Sequence, residues 1–221
     1  MADDQPPPAQ TIDADGVVAD VDRPDGTPRG LVILAHGAGS DRSSVLLRTL
    51  SEALTAHGLV VARIDLPYRQ QRPKGPPSPS KSGADRDGIR AAIKVLRPLA
   101  PEGPLIVGGQ SYGGRQASMV VADDAELADG LLLTSYPLHP PGKPEKLRTE
   151  HLSSIVTPTV IVHGRSDAFA TSAEMGAAAE LFAGPVHVVE VDKADHGLKP
   201  ERSGVGELTA DAVGTHLLER R

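Results

Sequence analysis

Short apolar runs that alternate with helical patterns constrain the fold of this chain more than any other feature. Runs of strand length lie at 17–21, 31–37, 59–67, 105–109, 130–137, 159–167 and 185–196. Helical patterns lie at 43–56, 83–96, from 112 onward, 172–183 and 206–219. Strands that alternate with helices are typical of a mostly parallel sheet that helices cover on both faces. The sequence therefore predicts the α/β class.

The chain length and the position of the polar stretches predict the domain organisation. A chain of 221 residues fits a single domain with one large core. Residues 1–16 are acidic and rich in proline, which predicts a flexible tail ahead of one domain over 17–221. The Pro-rich stretches 69–80 and 137–144 are too short to separate domains. We expect both to be surface loops at one end of the sheet.

Composition excludes several classes of function. The formal net charge of −6, with no block of consecutive basic residues, argues against a nucleic-acid partner. The absence of cysteine excludes thiolate metal ligands and a cysteine nucleophile. The N-terminus has no apolar signal segment, and no later window of ~18 apolar residues could cross a membrane. We expect a soluble, cytoplasmic protein without a membrane partner, and the oligomeric state stays open.

The segment Gly109-Gln110-Ser111-Tyr112-Gly113 carries the strongest chemical signal. A strand-like apolar run precedes it and a helical pattern follows it, which is the context of a nucleophile elbow. Such a turn holds the serine in a strained backbone geometry, and the two glycines leave the room that this geometry needs. The pattern predicts Ser111 as a catalytic nucleophile.

One of the eight histidines has to act as the base, because a serine hydroxyl is a weak nucleophile until a neighbour removes its proton. His196 follows the last predicted strand, so its loop can reach back over Ser111. The order nucleophile, acid, histidine along the chain is also the order expected of a fold with such an elbow. His139 and His151, in the loop after Pro137, are the alternatives that the sequence leaves open. We predict His196 as the base.

A carboxylate is needed to orient the histidine. Asp167 ends the run TVIVHGRSD, at the carboxyl end of the strand before the last one. Asp192 and Asp195 are the alternatives, but they stand four residues and one residue before His196. Such close neighbours are better suited to shaping the histidine loop. The sequence predicts Asp167 as the orienting residue.

Two backbone N–H groups are candidates for an oxyanion hole, which stabilises the negative oxygen of a tetrahedral intermediate. Tyr112 directly follows the nucleophile and supplies one of them. The turn His36-Gly37-Ala38-Gly39 follows an apolar strand, and we predict that Ala38 supplies the other.

The segments LVILAHGAGSD, GGQSYGGR, TVIVHGRSD and ADHGLK occur in this order. Together they resemble an α/β-hydrolase over about residues 17–220. The resemblance extends to the small dienelactone-hydrolase-like branch. It is closer still to hydrolase-like proteins related to regulatory subunit 3 of the NSL histone acetyltransferase complex, through PYRQQRPKGPPS and SYPLHPPGKPEKLRTEHL. It implies an eight-stranded sheet with the site at the carboxyl ends of the strands.

Two departures limit what the resemblance implies about the reaction. Dienelactone hydrolase itself uses cysteine where this chain has Ser111, so its reaction is not implied. Residues 138–157 are polar and Pro-rich where many lipases insert an apolar lid, so we expect no large lid and no surface-activated lipase.

Basic residues in the two Pro-rich segments suggest the character of the pocket. One segment contains Arg69, Arg72 and Lys74, with Gln70 and Gln71, and the other contains Lys143, Lys146, Arg148 and His151. If both overhang Ser111, the pocket is cationic and favours a substrate with an acidic group. The candidates for the pocket are Gly37, Gly39, Arg72 and Lys143.

The sequence thus predicts a metal-independent, cofactor-free serine hydrolase that acts on a small-molecule carboxylic ester or related acyl bond through an acyl-Ser111 intermediate. Two alternatives stay open. A peptidase or a thioesterase would use the same three residues on a different leaving group. A catalytically silent interaction module would keep the fold without the activity.

Overall fold

The computed structural model describes residues 10–218, and its strands form one eight-stranded sheet. In chain order they are β1 Gln10–Ala14, β2 Val17–Asp22, β3 Gly30–Ala35, β4 Leu59–Asp65, β5 Leu105–Gln110, β6 Gly130–Thr134, β7 Thr159–Gly164 and β8 Val186–Val191. Their order across the sheet is β1-β2-β4-β3-β5-β6-β7-β8. β2 is antiparallel to β1 and β4, and the other neighbours are parallel. The prediction of a mostly parallel sheet of about eight strands is confirmed.

Helices cover both faces of the sheet, as predicted. The α-helices of the described residues are α1 Val45–Ala56, α2 Pro67–Gln71, α3 Ser82–Leu96, α4 Tyr112–Asp123, α5 Ser172–Ala179 and α6 Val205–Val213. Helices α1 and α6 contribute to one buried cluster, and α3, α4 and α5 contribute to the other. Helix α6 continues as a π-helical turn over Gly214–Leu218, and residue 219 of the predicted helix lies outside the described residues.

The central strands are buried along their whole length, which explains why their sequences are continuous apolar runs. Every residue of β3 is buried, and successive residues alternate between the two clusters. Leu31 and Ile33 pack on the α3–α4 side, whereas Val32 and Leu34 pack on the α1–α6 side. Because side chains alternate along a strand, a strand with helices on both faces needs apolar residues at every position.

The N-terminal part of the chain corrects the prediction of a flexible tail. Residues Gln10–Ala14 form the edge strand β1, which pairs with β2 through a tight hairpin. Asp15 and Gly16 at its tip have φ values of 52° and 76°, as a type I′ turn requires at both central positions. Four of the five side chains of β1 are exposed, so the strand carries almost no apolar pattern. Residues 1–9 of the predicted tail lie outside the described residues.

The loops differ from the predicted outline in two further places. The first Pro-rich segment begins within the short helix α2. Pro67 occupies the first turn of this helix, where an N–H group would have no acceptor within the helix. The strand predicted over 130–137 ends at Thr134, and Ser135 takes a positive φ of 51° immediately after it. The stretch between β6 and β7 contains only turns and a 3₁₀ turn at Leu152–Ser154. No long insertion forms a lid there, as predicted.

The parallel strands bring three loops to one edge of the sheet. The carboxyl ends of β3, β5 and β7 lead into the segments after Ala35, Gln110 and Gly164. These segments contain the predicted oxyanion turn, nucleophile and acid. Within residues 10–218, no helix is long and apolar enough to cross a membrane.

Candidate active site

Ser111 lies at a sharp turn between β5 and α4. Its φ of 48° and ψ of −112° are unusual for a residue with a side chain, and backbone strain of this kind concentrates at functional sites. The Ser111 N–H donates to the carbonyl of Thr134 at 2.8 Å, and its own carbonyl accepts from the Arg115 N–H at 2.9 Å. The turn is therefore fixed to the neighbouring strand and to the first turn of α4.

The glycines on either side of Ser111 are required by close packing against the end of β3. A Cβ atom on Gly109 would lie 2.1 Å from the carbonyl oxygen of Ala35, and Gly109 has a φ of 149°. A Cβ on Gly113 would lie 2.5 Å from the carbonyl oxygen of His36. Any larger residue would force the turn away from β3. The glycine pattern of the sequence is thus explained by steric contact with backbone atoms.

His196 lies between Ser111 and Asp167 and bonds both. Its Nε2 lies 2.9 Å from Ser111 Oγ, and its Nδ1 lies 2.7 Å from Asp167 Oδ2. An ionised carboxylate can only accept, so Nδ1 carries a proton and Nε2 of the neutral ring is an acceptor. The hydroxyl of Ser111 therefore donates to Nε2, which is the arrangement that a general base requires.

Asp167 is buried in a setting that fixes the orientation of its carboxylate. Its side chain has no exposed surface, and its Oδ1 accepts from the Phe169 N–H at 2.8 Å. The Phe169 ring stacks on the His196 imidazole with a centroid distance of 4.0 Å. Oδ1 is thus occupied by the backbone while Oδ2 bonds the imidazole. The carboxylate and Phe169 together hold His196 in one orientation.

The alternative histidines lie elsewhere. Nε2 of His151 lies 2.7 Å from the hydroxyl of Ser118, and burial lowers the pKa of His151 to about 4. Nε2 of His139 lies 3.4 Å from Glu174 Oε2, and the pKa of His139 is raised because Pro140 and then Glu174 accept from its ring. Neither ring bonds Ser111.

The alternative carboxylates shape the surface and the histidine loop. Asp192 pairs with the exposed guanidinium of Arg165 at 3.1 Å. Asp195 Oδ1 accepts from the Gly197 N–H at 3.0 Å, which closes a local turn. Neither carboxylate bonds His196, whose carboxylate partner among the described residues is Asp167.

The turn after β3 is braced by two side chains of α2. The Tyr68 hydroxyl donates to the Ala38 carbonyl at 2.9 Å, and Arg69 Nε donates to the Ser40 carbonyl at 2.7 Å. Burial raises the pKa of Tyr68 to about 12, so it remains a neutral donor. These hydrogen bonds fix the turn through the carbonyl groups of Ala38 and Ser40. The Ala38 N–H has no acceptor among the described residues.

His36 and Tyr112 complete the polar surroundings without adding charge. His36 is fully buried, and burial lowers its pKa. Its Nε2 accepts from the Leu66 N–H at 3.2 Å, so the proton lies on Nδ1, which faces the Gly37 carbonyl. Burial and a 2.7 Å hydrogen bond to Asp85 raise the pKa of Tyr112 well above its usual range. The backbone N–H of Tyr112 starts α4, where a helix leaves such groups without internal acceptors.

A cavity of about 410 Å³ opens onto Ser111. Its described lining comprises Ala38, Pro76, Pro77, Pro79, Ser82, Ser111, Tyr112, Arg115, Gln116, Pro137, Arg148 and Phe169. Both predicted oxyanion residues are thus in the wall beside the serine. Cavities of this size typically bind small molecules through apolar walls and a few polar groups.

Four residues predicted for the pocket do not line this cavity. A Cβ atom on Gly37 would lie 3.5 Å from the Gln110 side chain and 3.8 Å from the Ser111 side chain, and Gly39 is exposed with nothing within 4 Å of such an atom. Arg72 is also exposed, and its guanidinium bonds the Pro76 carbonyl at 3.1 Å. Lys143 is exposed in a turn that its N–H closes on the Pro140 carbonyl. The basic residues of the wall are instead Arg115 and Arg148.

The comparisons with known proteins agree with this geometry. The family model described as alpha/beta hydrolase domain matches residues 28–217, which is most of the chain. The chain belongs to this family. The matched range includes Ser111, Asp167 and His196, and the match establishes the alpha/beta hydrolase fold.

Solved structures share the fold of this alpha/beta hydrolase at low sequence identity. An alpha-beta serine hydrolase homologue from Coxiella burnetii has 17% identity and a TM-score of 0.75, over 95% of this chain and 98% of that one. A dienelactone hydrolase from Anabaena variabilis has 20% identity and a TM-score of 0.73, over 96% and 99%. Est1E from Butyrivibrio proteoclasticus, solved with ferulic acid, has 17% identity and a TM-score of 0.75, over 96% and 100%.

Reasoning from the sequence did not identify Arg115 as a residue of this hydrolase's cavity. The available signal was its spacing, because residues four apart on a helix lie on one face, and Arg115 stands four positions after Ser111. The bracing roles of Tyr68 and Arg69 had no comparable signal, since they depend on how α2 packs on a distant turn. Within residues 10–218, no group of three or more potential ligands is placed to hold a metal ion.

Proposed function

We propose that this chain is a serine hydrolase that cleaves a carboxylic ester through an acyl-Ser111 intermediate. The observation that carries the proposal is the continuous hydrogen-bonded array from Asp167 through His196 to Ser111 on a strained turn. A serine placed in this way can lose its proton to the imidazole as it attacks a carbonyl carbon.

In the first half of the reaction, Ser111 Oγ attacks the ester carbonyl and its proton passes to His196 Nε2. The imidazolium is stabilised by the buried Asp167 carboxylate on its other nitrogen. Collapse of the tetrahedral intermediate breaks the bond to the alcohol oxygen, which takes the proton from Nε2. The products of this half are the free alcohol and acyl-Ser111.

In the second half, His196 removes a proton from a water molecule, which attacks the acyl carbon. The proton then returns to Ser111 Oγ as the carboxylic acid leaves. Both halves pass through a negatively charged oxygen, and we assign its donors to the backbone N–H groups of Ala38 and Tyr112. Both residues lie in the cavity wall. The carbonyls of Ala38 and Ser40 already accept hydrogen bonds from the side chains of α2, which fixes the turn that carries the Ala38 N–H.

The finer features of the proposal rest on the sequence. We place the reaction in the cytoplasm, on a small-molecule acyl substrate, whose size the cavity of about 410 Å³ at Ser111 supports. The segments PYRQQRPKGPPS and SYPLHPPGKPEKLRTEHL support a place in the dienelactone-hydrolase-like branch, near the proteins related to regulatory subunit 3 of the NSL complex. Est1E, an α/β-fold neighbour solved with ferulic acid, supports a substrate whose acyl part is released as a carboxylic acid.

Active-site labelling tests the proposal without a guess at the substrate. We expect a fluorophosphonate probe to modify the intact protein once, with the adduct on the tryptic peptide that contains Ser111. Ser111→Ala should abolish the adduct. Ser118→Ala is the matched control, because Ser118 also bonds a histidine but lies fully buried. It should label like the natural protein.

A panel of 4-nitrophenyl esters, acyl thioesters and peptide anilides then identifies the leaving group. The proposal expects turnover of the esters, with hydrolysis of thioesters or anilides much slower. Faster turnover of thioesters or anilides would point to a thioesterase or peptidase with the same array. A folded protein that neither labels nor hydrolyses any of them would be a silent interaction module, and the proposal would be wrong.

A further inference from the structure

Two arginines lie in the wall of the cavity that contains Ser111. Arg115 is one helical turn beyond the serine, and its N–H bonds the Ser111 carbonyl at 2.9 Å. Arg148 belongs to the loop after β6, where its backbone is held by hydrogen bonds to Leu138 and from Tyr136, both 2.8 Å long. Both arginines are therefore held by their backbone in the wall of the cavity that contains Ser111.

Neither arginine is neutralised by a carboxylate of the described residues. The ion pairs there involve Arg42, Arg63, Arg90 and Arg165, but neither Arg115 nor Arg148. Arg115 Nε has no hydrogen-bond partner at all in residues 10–218. The Arg148 guanidinium donates to the Pro137 carbonyl at 3.2 Å and to no other group within residues 10–218. The acidic side chain closest in sequence, Glu150, is exposed and forms no ion pair with Arg148.

Two unpaired like charges on one cavity wall are unfavourable, and an anion between them would relieve the cost. Burial and then the charge of Arg115 lower the pKa of Arg148, and the charge of Glu150 only partly opposes them. A further donor is close by, because Gln116 is fully buried in the same wall and its Nε2 has no partner among the described residues. Planar guanidinium groups are well suited to bind carboxylates with two parallel hydrogen bonds.

The remainder of the wall limits the shape of the ligand. Pro76, Pro77, Pro137 and Phe169 supply apolar surface to the same cavity. The volume of about 410 Å³ suits a small molecule with a short apolar segment. A molecule with an ester at one end and an anion at the other would match both features.

We propose that the natural substrate is an ester that also bears a carboxylate, which Arg115 and Arg148 bind while the ester carbonyl lies at Ser111. This inference rests on the proposed hydrolase function and names the class of its substrate. It retains the acidic substrate that the sequence suggested, but it assigns the recognition to residues other than Arg72 and Lys143.

The test compares pairs of esters in which a free carboxylate is replaced by its neutral methyl ester. Mono-4-nitrophenyl adipate carries the carboxylate on the acyl side, and methyl 4-nitrophenyl adipate is its neutral match. On the alcohol side, 4-acetoxybenzoate is paired with methyl 4-acetoxybenzoate. We expect kcat/KM to be about 10- to 100-fold higher for the anionic member of at least one pair, as a charged hydrogen bond provides. The pair that shows the preference identifies the side on which the carboxylate lies.

Variants locate the source of the preference. Arg115→Gln and Arg148→Gln should each reduce the preference about 10-fold or more, mainly through the KM of the anionic ester, with a smaller change in kcat/KM for the neutral ester. Arg148→Lys should retain part of the preference for the anionic ester, which distinguishes the effect of the positive charge from an effect of altered loop structure. Lys146→Gln is the matched control, because Lys146 is exposed in the same loop and does not line the cavity.

Three outcomes would each decide a different point. Equal kcat/KM within both pairs, or an equal loss in Lys146→Gln, overturns the carboxylate site while leaving the hydrolase intact. Turnover of no ester and no fluorophosphonate adduct refutes the proposed function. In that event calorimetric titration of adipate into Ser111→Ala and Ser111→Ala/Arg148→Gln still tests the anion site. Binding to the first protein alone supports it, and binding to neither overturns it.

Discussion

Two serine–histidine pairs occur in this protein, and they are built very differently. In the elbow pair, Ser111 Oγ lies 2.9 Å from His196 Nε2, and in the helix pair, Ser118 Oγ lies 2.7 Å from His151 Nε2. The shorter contact thus belongs to the pair that no catalytic argument favours. A serine and a histidine at hydrogen-bond distance do not by themselves make a nucleophile and its base.

The difference lies in the direction of the protons. His196 has a carboxylate on Nδ1, so Nε2 is left to accept from Ser111. Ser118 also donates to the Arg115 carbonyl at 2.8 Å, and its single proton cannot serve two acceptors. His151 Nε2 must then be the donor to Ser118. In the elbow pair the unprotonated nitrogen of His196 faces the serine, whereas in the helix pair the histidine donates to a buried hydroxyl.

The largest expected effect comes from removing the two histidines one at a time. We expect His196→Gln to lower kcat for ester hydrolysis by ~10⁵–10⁶-fold, because base and nucleophile act as a unit. His151→Gln should change kcat by less than about threefold, since most changes away from a site act only on stability. Ester hydrolysis by the purified variants, with circular dichroism as a check on folding, measures both. A comparable loss in the two variants would break the distinction between the pairs.

The carboxylate behind the elbow pair gives the next largest effect. Asp167→Asn keeps the shape but allows the amide to favour the wrong tautomer of His196, and kcat should fall by ~10⁴-fold. Asp192→Asn is the matched control, because this exposed residue pairs with Arg165 at the surface and should leave kcat unchanged. Steady-state rates of the two proteins at one pH decide the point. Retained activity in Asp167→Asn would show that His196 needs no orienting carboxylate.

The elbow of Ser111 is also packed closely against β3, and a substitution that disturbs this packing should lower the free energy of unfolding. Gly113→Ala places a Cβ 2.5 Å from the His36 carbonyl oxygen, which should lower the free energy of unfolding by about 2–3 kcal/mol. Gly176→Ala, in the exposed part of α5, meets nothing within 4 Å and should raise it by about 0.5–1 kcal/mol. Urea denaturation of both variants gives the comparison. A Gly113→Ala protein as stable as the natural one would mean that the elbow is not packed tightly against β3.

The contrast between the pairs also shows how much a sequence can reveal. The glycines around Ser111 and the positions of Asp167 and His196 after successive strands predicted an array that the structure brings together. Periodicity predicted the sheet because buried parallel strands are apolar throughout. These features are encoded locally, by steric room at a turn and by the ends of strands.

Features that depend on packing between distant segments were not predictable in the same way. Strand β1 was missed because an exposed edge strand has no apolar face, although Asp15-Gly16 carried the signal of a tight hairpin. Arg72 and Lys143 were expected at the pocket from their loops alone. A loop has no regular period, so its sequence does not state which side chains point inward.

The smallest expected effect concerns the pH dependence of stability, and it belongs to the helix pair. The pKa of His151 in the folded protein is about 4, below the value of 6.5 for a free histidine, chiefly because of burial. The unfolded chain therefore binds more protons between these values. The contribution of His151 is complete above pH 6.5 and is lost as the pH falls toward 4.

Subtraction of the His151→Gln protein isolates this contribution from those of the other buried histidines. The difference in unfolding free energy between the natural protein and this variant should shrink by roughly 1–3 kcal/mol from pH 7 to pH 4. Urea denaturation at several pH values provides the measurement. The pH profile of kcat should be the same in both proteins, because the proposed reaction uses the elbow pair and not His151. A stability difference that is constant with pH would mean that His151 is readily protonated where it lies, and the helix pair would then resemble the elbow pair more closely than its geometry indicates.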